Sequence, residues 1–401
     1  MSYGPSQLSP LMFQDDTAKF STGVAEAQKG NILIGQAMKM KQLELNVDKS
    51  GTLIFGRQKR VDEIRSFIEK HKSLTINDVP VKIKNEEKYL GDYIHCFGLG
   101  KSVEVTVNKR YGAALTSVIE LKSVIEDFRM HKLGSIRSGL DIFNLAIFPA
   151  LTYNAETWLD TPRKTFDRLE NLQYILIRSL LAVPNSAPLP ALNWDVGQMS
   201  IEHEINKKKL MFLHYLINLD KSFLASEIFN VQKDMNFPGF IPEVKSLLEL
   251  YELPNILEDN CAMKKQKWAA MVKVAVKNKF ENELKTTMNE KYSKLRNSKL
   301  MSEEFDMKEY IKTMNLSDAR TNFRIRCSLL NQVKMNQRSQ PTYAYQLWAC
   351  DECGCVDTQS HIMWCPSYAT LREGLDVDND LDVVHYFQKV VKIREALKNE
   401  D

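Results

Sequence analysis

Apolar and polar positions change their period along this chain. Near the start, apolar residues flank a tight acidic turn in Leu11-Met12-Phe13-Gln14-Asp15-Asp16-Thr17-Ala18-Lys19-Phe20, a pattern that predicts a β-hairpin. Thr22 reads as an N-cap with Glu26 soon after, so a helix is predicted from there to about Leu45. Asn46 to Gly51 is turn-rich, and short strands are expected at Thr52 to Phe55, Val79 to Ile83 and Lys88 to Ile94. Beyond Gly100 the spacing becomes three and four. Val107 to Met130, Ile136 to Trp158 and Lys164 to Leu181 read as helices. In the last of these, Phe166, Leu169, Leu172, Leu176 and Leu180 form one stripe, the mark of a helix packing on a core. The prolines of Pro184 to Pro190 predict a linker. More helices are expected from Ile201 to the late 330s, then a cysteine-rich unit from Trp348 to Pro366, an acidic stretch holding Asp376, Asp378, Asp380 and Asp382, and a final amphipathic helix.

A chain of 401 residues exceeds one ordinary core and suits two or three domains. It is 44% hydrophobic and 26% charged, ordinary values for a globular protein. The net charge is only +3, so nucleic-acid binding can rest only on local patches. No apolar run reaches the length of a membrane-spanning helix, and Met1 to Pro10 lacks the basic-then-apolar order of a signal peptide. Seven cysteines, four of them between Cys350 and Cys365, suggest an intracellular metal site rather than a disulfide framework.

Two features carry chemistry. Asp15 and Asp16 are the only adjacent aspartates. Two carboxylates on a hairpin turn can ligate Mg²⁺, a hard cation that prefers oxygen donors; the alternative is a solvated turn. Cys350, Cys353, His361 and Cys365 have the spacing C-x2-C-x7-H-x3-C. The first pair chelates from a tight turn that Gly354 suits, and the second pair closes a tetrahedral Zn²⁺ site. Cys355 is an open alternative to Cys353. Between Lys264 and Lys299 stand eleven basic and three acidic residues, read as a long helix with Trp268 and Phe280 on its buried side. Arg320, Arg324, Arg326, Lys334 and Arg338 follow with no acidic residue among them, ahead of Tyr343, Tyr345 and Trp348. Arginines beside aromatics suit single-stranded nucleic acid, through phosphate pairing and base stacking; the alternative is a solvated helix face. His71, His95, His131, His203, His214 and His385 are scattered and read as surface or packed residues.

The order of motifs resembles non-LTR retrotransposon reverse transcriptases over nearly the whole chain. Phe13-Gln14-Asp15-Asp16 is similar to the palm metal turn, and Leu45-Asn46-Val47-Asp48-Lys49-Ser50 to the segment whose lysine lies near the incoming triphosphate. Lys88-Tyr89-Leu90-Gly91 resembles the primer-grip hairpin. Ile147 to Trp158 is similar to the thumb signature, and Leu169-Glu170-Asn171-Leu172-Gln173 to the helix that follows it. The Cys-His unit resembles the knuckle near the end of these proteins, with a last spacing one residue shorter than is common there. The resemblance implies Asp15 and Asp16 as Mg²⁺ ligands, Lys49 as an aid to leaving-group protonation, and Tyr89 and Gly91 beside the primer. It also implies template-primer, element RNA and target DNA as partners, in a nuclear or cytoplasmic ribonucleoprotein.

The expected fold is α+β at the start, with palm hairpins, then mainly α with a small zinc knuckle. The expected divisions are a palm over 1–97, a thumb over 98–183, a helical region over 184–340, a knuckle over 341–370 and an acidic tail with a terminal helix over 371–401. Such polymerases need another palm aspartate and fingers residues, and the residues ahead of Asp15 offer no acidic group. The chain alone is therefore expected to be inactive, unless another chain or an amino-terminal part completes it. No nuclease constellation follows Cys365. The alternative function is a non-enzymatic nucleic-acid-binding scaffold.

Overall fold

Hydrogen-bonded helices dominate, with a few short strands near the start. The computed structural model describes residues 11–13, 16–128, 134–235, 238–258, 263–290, 303–327, 329–330 and 349–398. Eight strands lie early in the chain: β1 (Leu11–Phe13), β2 (Asp16–Ala18), β3 (Gly51–Leu53), β4 (Thr75–Ile76), β5 (Val79–Pro80), β6 (Lys82–Lys84), β7 (Glu86–Tyr89) and β8 (Asp92–His95). Two helices lie among them, α1 (Val24–Met40) and α2 (Gln58–His71). The helical part continues with α3 (Leu99–Asp127), α4 (Ile136–Ile142), α5 (Phe148–Leu151), α6 (Arg163–Leu181), α7 (Leu189–Val196), α8 (Ile201–Ile217), α9 (Leu224–Met235) and α10 (Phe240–Leu250). After them come α11 (Lys265–Asn289), α12 (Glu309–Thr313), α13 (Leu316–Arg326), α14 (Gln359–Trp364) and α15 (Asp380–Lys398).

The chain divides into two compact units, neither continuous in sequence. The first comprises Met1–Gly112, Leu151–Asp167 and Ile205–Ala275. Its strands pair two by two: β1 with β2, β4 with β5 and β7 with β8 antiparallel, β3 with β6 parallel. In the β4–β5 hairpin Ile76 faces Val79, so Asn77 and Asp78 alone make the loop, both at positive φ. The β7–β8 loop is likewise two residues, Leu90 and Gly91, both at positive φ. Such primed turns match the twist of the flanking strands. Gly91 is the residue this loop needs. Its φ is +90°, and a Cβ there would meet the Tyr153 ring at 3.1 Å.

Four sequence expectations need correction here. The helix after Thr22 ends at Met40, not Leu45, because Gln42 turns left-handed at φ 57° and Leu43 N–H returns to the Met38 carbonyl at 2.9 Å. Gly23 holds the N-cap position, and Thr22 instead donates from its N–H to the Glu26 carboxylate at 2.7 Å. The single strand expected over Val79 to Ile83 is split between two ladders, and Lys88 to Ile94 folds back on itself as a hairpin. Helix α2 was hidden by its charge; only Val61 and Ile68 are buried along it.

The second unit comprises Ala113–Ala150, Arg168–Glu204 and Val276–Asp401. Along α6 and α11 the period-3.6 reading carries over well. Phe166, Leu169, Leu172, Leu176 and Leu180 along α6 are all buried. Along α11, Trp268, Val272, Val276, Phe280, Leu284 and Met288 form a buried row at every fourth position, while Lys265, Lys267 and Lys273 face solvent. Between α4 and α5 the helix widens to a π-turn over Phe143–Ile147, just ahead of Pro149, which has no N–H to offer the ladder. The expected linker is short, because Pro190 sits in the first turn of α7, where its missing N–H is harmless. No helix of the described residues is long and apolar enough to cross a membrane.

Candidate metal centre

The cysteine-rich segment folds as two chelating turns on a shared core. Ala349 and Val356 form an isolated antiparallel bridge that closes the first turn. Cys350 N–H donates to the Cys355 carbonyl at 2.7 Å, and Gly354 N–H to the Cys350 carbonyl at 2.9 Å. Gly354 takes φ +71°, a left-handed conformation that favours glycine. The second turn is α14. Thr358 caps it by accepting from His361 N–H at 2.9 Å, and Cys365 closes it with an N–H bond to the His361 carbonyl at 2.7 Å.

These turns bring Cys350, Cys353, His361 and Cys365 together, with all four ligand atoms within 4.8 Å of one another. A tetrahedral Zn²⁺ with Zn–S bonds near 2.3 Å would hold its sulfurs roughly 3.8 Å apart. The donor set therefore fits with only a small contraction. Cys350 and Cys365 are buried, while Cys353 and His361 are partly so. The cluster takes Cys353, and Cys355 is exposed outside it. Among the described residues this is the only group of three or more histidines, cysteines and carboxylates placed to hold an ion.

The surroundings of the cluster had no signal in the sequence. Leu330, Ile362, Tyr368, Tyr386, Phe387 and Val390 form a buried core with Cys350 and Cys365. The terminal helix α15, expected as a separate tail, thus packs into the core of the cysteine-rich unit. Tyr386 OH donates to the Ile362 carbonyl at 2.7 Å, and Arg372 donates to the Cys365 carbonyl at 2.7 Å. Arg394, also on α15, is buried against the buried Asp357, with Nη1 2.9 Å from Oδ1. Spacing motifs find metal ligands but not a residue that arrives from a distant helix.

The other anticipated site residues fare differently. Asp16 pairs with Phe13 in the β1–β2 ladder and is exposed; Asp15 lies outside the described residues. Lys49 is exposed on a turn that its N–H closes by donating to Asn46 Oδ1 at 3.1 Å. In the first unit the Leu90-Gly91 turn and the segment Leu151 to Trp158, distant in sequence, do come together. Arg110 binds both: it donates to the Gly91 carbonyl at 2.7 Å, Asp92 Oδ1 at 2.7 Å and the Tyr153 carbonyl at 2.8 Å. Asn154 adds a bond to Asp92 Oδ2 at 3.0 Å. Tyr89, on β7 ahead of this turn, is half-buried.

Arg338 and Trp348 lie outside the described residues, as do Tyr343 and Tyr345. The three arginines of α13, read from sequence as phosphate contacts, are turned to the protein. Arg320 pairs with Glu126 and donates to the Leu180 carbonyl at 2.7 Å. Arg324 donates to the Ala182 carbonyl at 2.5 Å. Arg326 bridges the fully buried Asp195 (2.9 Å) and Glu303 (2.7 Å), and Tyr310 OH donates to the same Asp195 at 2.8 Å. Arg320 and Arg324 bond the carbonyls at the end of α6, which the helix itself cannot satisfy.

Two buried titratable groups lie near the start of α8. Burial pushes the Glu170 carboxyl up to about 7, although its Oε1 accepts from Glu202 N–H at 3.2 Å. Burial lowers His203 to about 4, with Lys279 adding to the effect. His203 Nδ1 lies 2.8 Å from Ser200 Oγ. No family model matches this chain, and neither does any curated protein or solved structure.

Proposed function

We propose that this chain is part of a non-LTR-type reverse transcriptase, and that its own contribution is to hold nucleic acid through a zinc-ordered carboxyl-terminal unit. The observation that carries the proposal is the convergence of Cys350, Cys353, His361 and Cys365 within 4.8 Å. Zn²⁺ is the ion that suits three thiolates and an imidazole. It would act as a structural closure, because four protein ligands leave no open position for a reactant.

The polymerase relation is supported by the order of elements. The antiparallel pair β1–β2 precedes a helix, a turn carrying Lys49, and the Leu90-Gly91 hairpin. That last hairpin is locked by Arg110 to Tyr153, which lies in the segment Ile147 to Trp158 that resembles the thumb signature. The chemistry in the parent protein is nucleotidyl transfer with Mg²⁺ at Asp15 and Asp16. The holding role is favoured for this chain because the ion-binding group that its fold assembles is the four-ligand set Cys350, Cys353, His361 and Cys365. Phosphate contacts then fall to the solvent-facing lysines of α11, with Arg338 and Trp348 as further candidates.

The test is binding of a labelled single-stranded RNA to the full chain, followed by anisotropy. Zinc-loaded chain is expected to bind at low ionic strength, with affinity that falls steeply as salt rises because bound counterions are released. Removing zinc with a chelator is expected to weaken binding. Absence of binding at low salt, or binding indifferent to salt, contradicts the holding role.

A further inference from the structure

The buried pair Arg394–Asp357 has no place in a simple knuckle, where four ligands suffice. Arg394 is 8% exposed and Asp357 2%. Withdrawing two charges from water is costly, and a buried pair is retained without loss only if its remaining donors are also satisfied. The guanidinium meets that condition by three contacts. Nη1 lies 2.9 Å and 3.0 Å from the two Asp357 oxygens. Nε donates to Tyr368 OH at 3.0 Å, and the guanidinium lies over the Tyr368 ring at 5.6 Å. Nη2 points at Cys350 Sγ, 3.8 Å away.

That last contact is the informative one. A thiol is a weak acceptor, but a thiolate bound to a metal is a charged one. Zn²⁺ with three thiolates and a neutral imidazole carries one net negative charge, in a core of Ile362, Tyr386, Phe387 and Val390 that screens poorly. A fixed cation beside Cys350 Sγ offsets that charge and orients the sulfur. Asp357 and Tyr368 in turn fix the cation. Both ends of the relay matter, since Asp357 belongs to the chelating segment and Arg394 to α15.

We infer that Arg394 is a positioning residue for the metal: its guanidinium, held by Asp357 and Tyr368, donates to the Cys350 thiolate and couples zinc binding to the docking of α15. The inference rests on the zinc reading above. Outer partners of metal ligands affect affinity by about tenfold to a hundredfold, so Arg394→Met is expected to weaken zinc within that range. Arg394→Lys, which keeps the charge near the sulfur, is expected to recover part of the loss.

The experiment uses the full chain and variants R394M and R394K. Zinc affinity is measured by competition with a chromogenic chelator, and Co²⁺ substitution reports on the sulfur through its thiolate-to-metal absorption band. The inference expects weaker zinc and a shifted Co²⁺ band in R394M, both moved back toward wild type in R394K. It also expects zinc to protect α15 from limited proteolysis in wild type and less so in R394M. Wild-type affinity and an unshifted band in R394M overturn the inference while leaving the zinc site standing. Failure of the wild-type chain to bind zinc or Co²⁺ overturns the zinc reading itself. If R394M does not fold, R394K and Asp357→Asn decide: weaker zinc and a shifted Co²⁺ band in D357N, with R394K closer to wild type, support the inference, whereas wild-type affinity and an unshifted band in D357N overturn it.

Discussion

Glu170 and His203 are buried near the start of α8 and respond to pH in opposite senses. Glu170 is raised from 4.5 to about 7, so the folded chain holds its proton more tightly than the unfolded chain does. Its contribution to stability is fully present below about 4.5 and is lost as pH rises through about 7. The whole shift corresponds to on the order of 3 kcal/mol. Glu170→Gln keeps an acceptor for Glu202 N–H and cannot ionise. It is expected to flatten the stability profile between these pH values and to raise stability at pH 8, as read by denaturant unfolding. An unchanged slope would mean that Glu170 ionises as freely in the fold as in water. His203 is lowered from 6.5 to about 4, so its contribution is present above 6.5 and is lost as pH falls through about 4. His203 changes charge in wild type and E170Q alike, so the Glu170 effect is read as the difference between the two stability profiles. No sequence pattern announces either shift. A glutamate on a helix reads as solvated until the neighbouring helix is known.

Helix α13 shows how an element can be read correctly and its side chains misread. A run of arginines without acidic residues suggested a nucleic-acid face. The acidic partners were there, at Glu126, Asp195 and Glu303, but far away along the chain. Removing one member of a buried pair leaves the other charged and uncompensated, at a cost of about 3–5 kcal/mol. Arg326→Ala is expected to destabilise the chain by that order, because Asp195 is fully buried, and thermal or denaturant unfolding measures it. A stable R326A with weakened RNA binding would return Arg326 to the phosphate-binding role. The amphipathic helices fared better. The stripes of α6 and α11 were legible because burial follows the 3.6 period directly. The short strands were less so, since two-residue ladders such as β4–β5 give too few alternations to set a register.

At the scale of the whole chain, ligand spacing picked out the four side chains that the fold brings together, whereas the division into two units, each discontinuous in sequence, was invisible to a linear reading. Segments 151–167 and 205–275 join the first unit across intervening sequence. The pairing of β1 only with β2 leaves the edges of this hairpin without further described strands, and exposed edges are ready to pair. If the proposed polymerase relation holds, joining the fingers and first palm strands of a non-LTR reverse transcriptase ahead of Met1 yields Mg²⁺-dependent primer extension. That activity should vanish on Asp16→Asn. A folded hybrid that stays inactive would remove the polymerase relation and leave the holding role.

The claim on which the rest depends is the metal centre. Native mass spectrometry of the full chain, expressed with zinc supplied, measures it directly. One Zn²⁺ per chain is predicted, retained through buffer exchange and absent when Cys350 and Cys365 are both changed to Ser. A chain that carries no zinc, or that carries it equally without those two cysteines, would contradict the account.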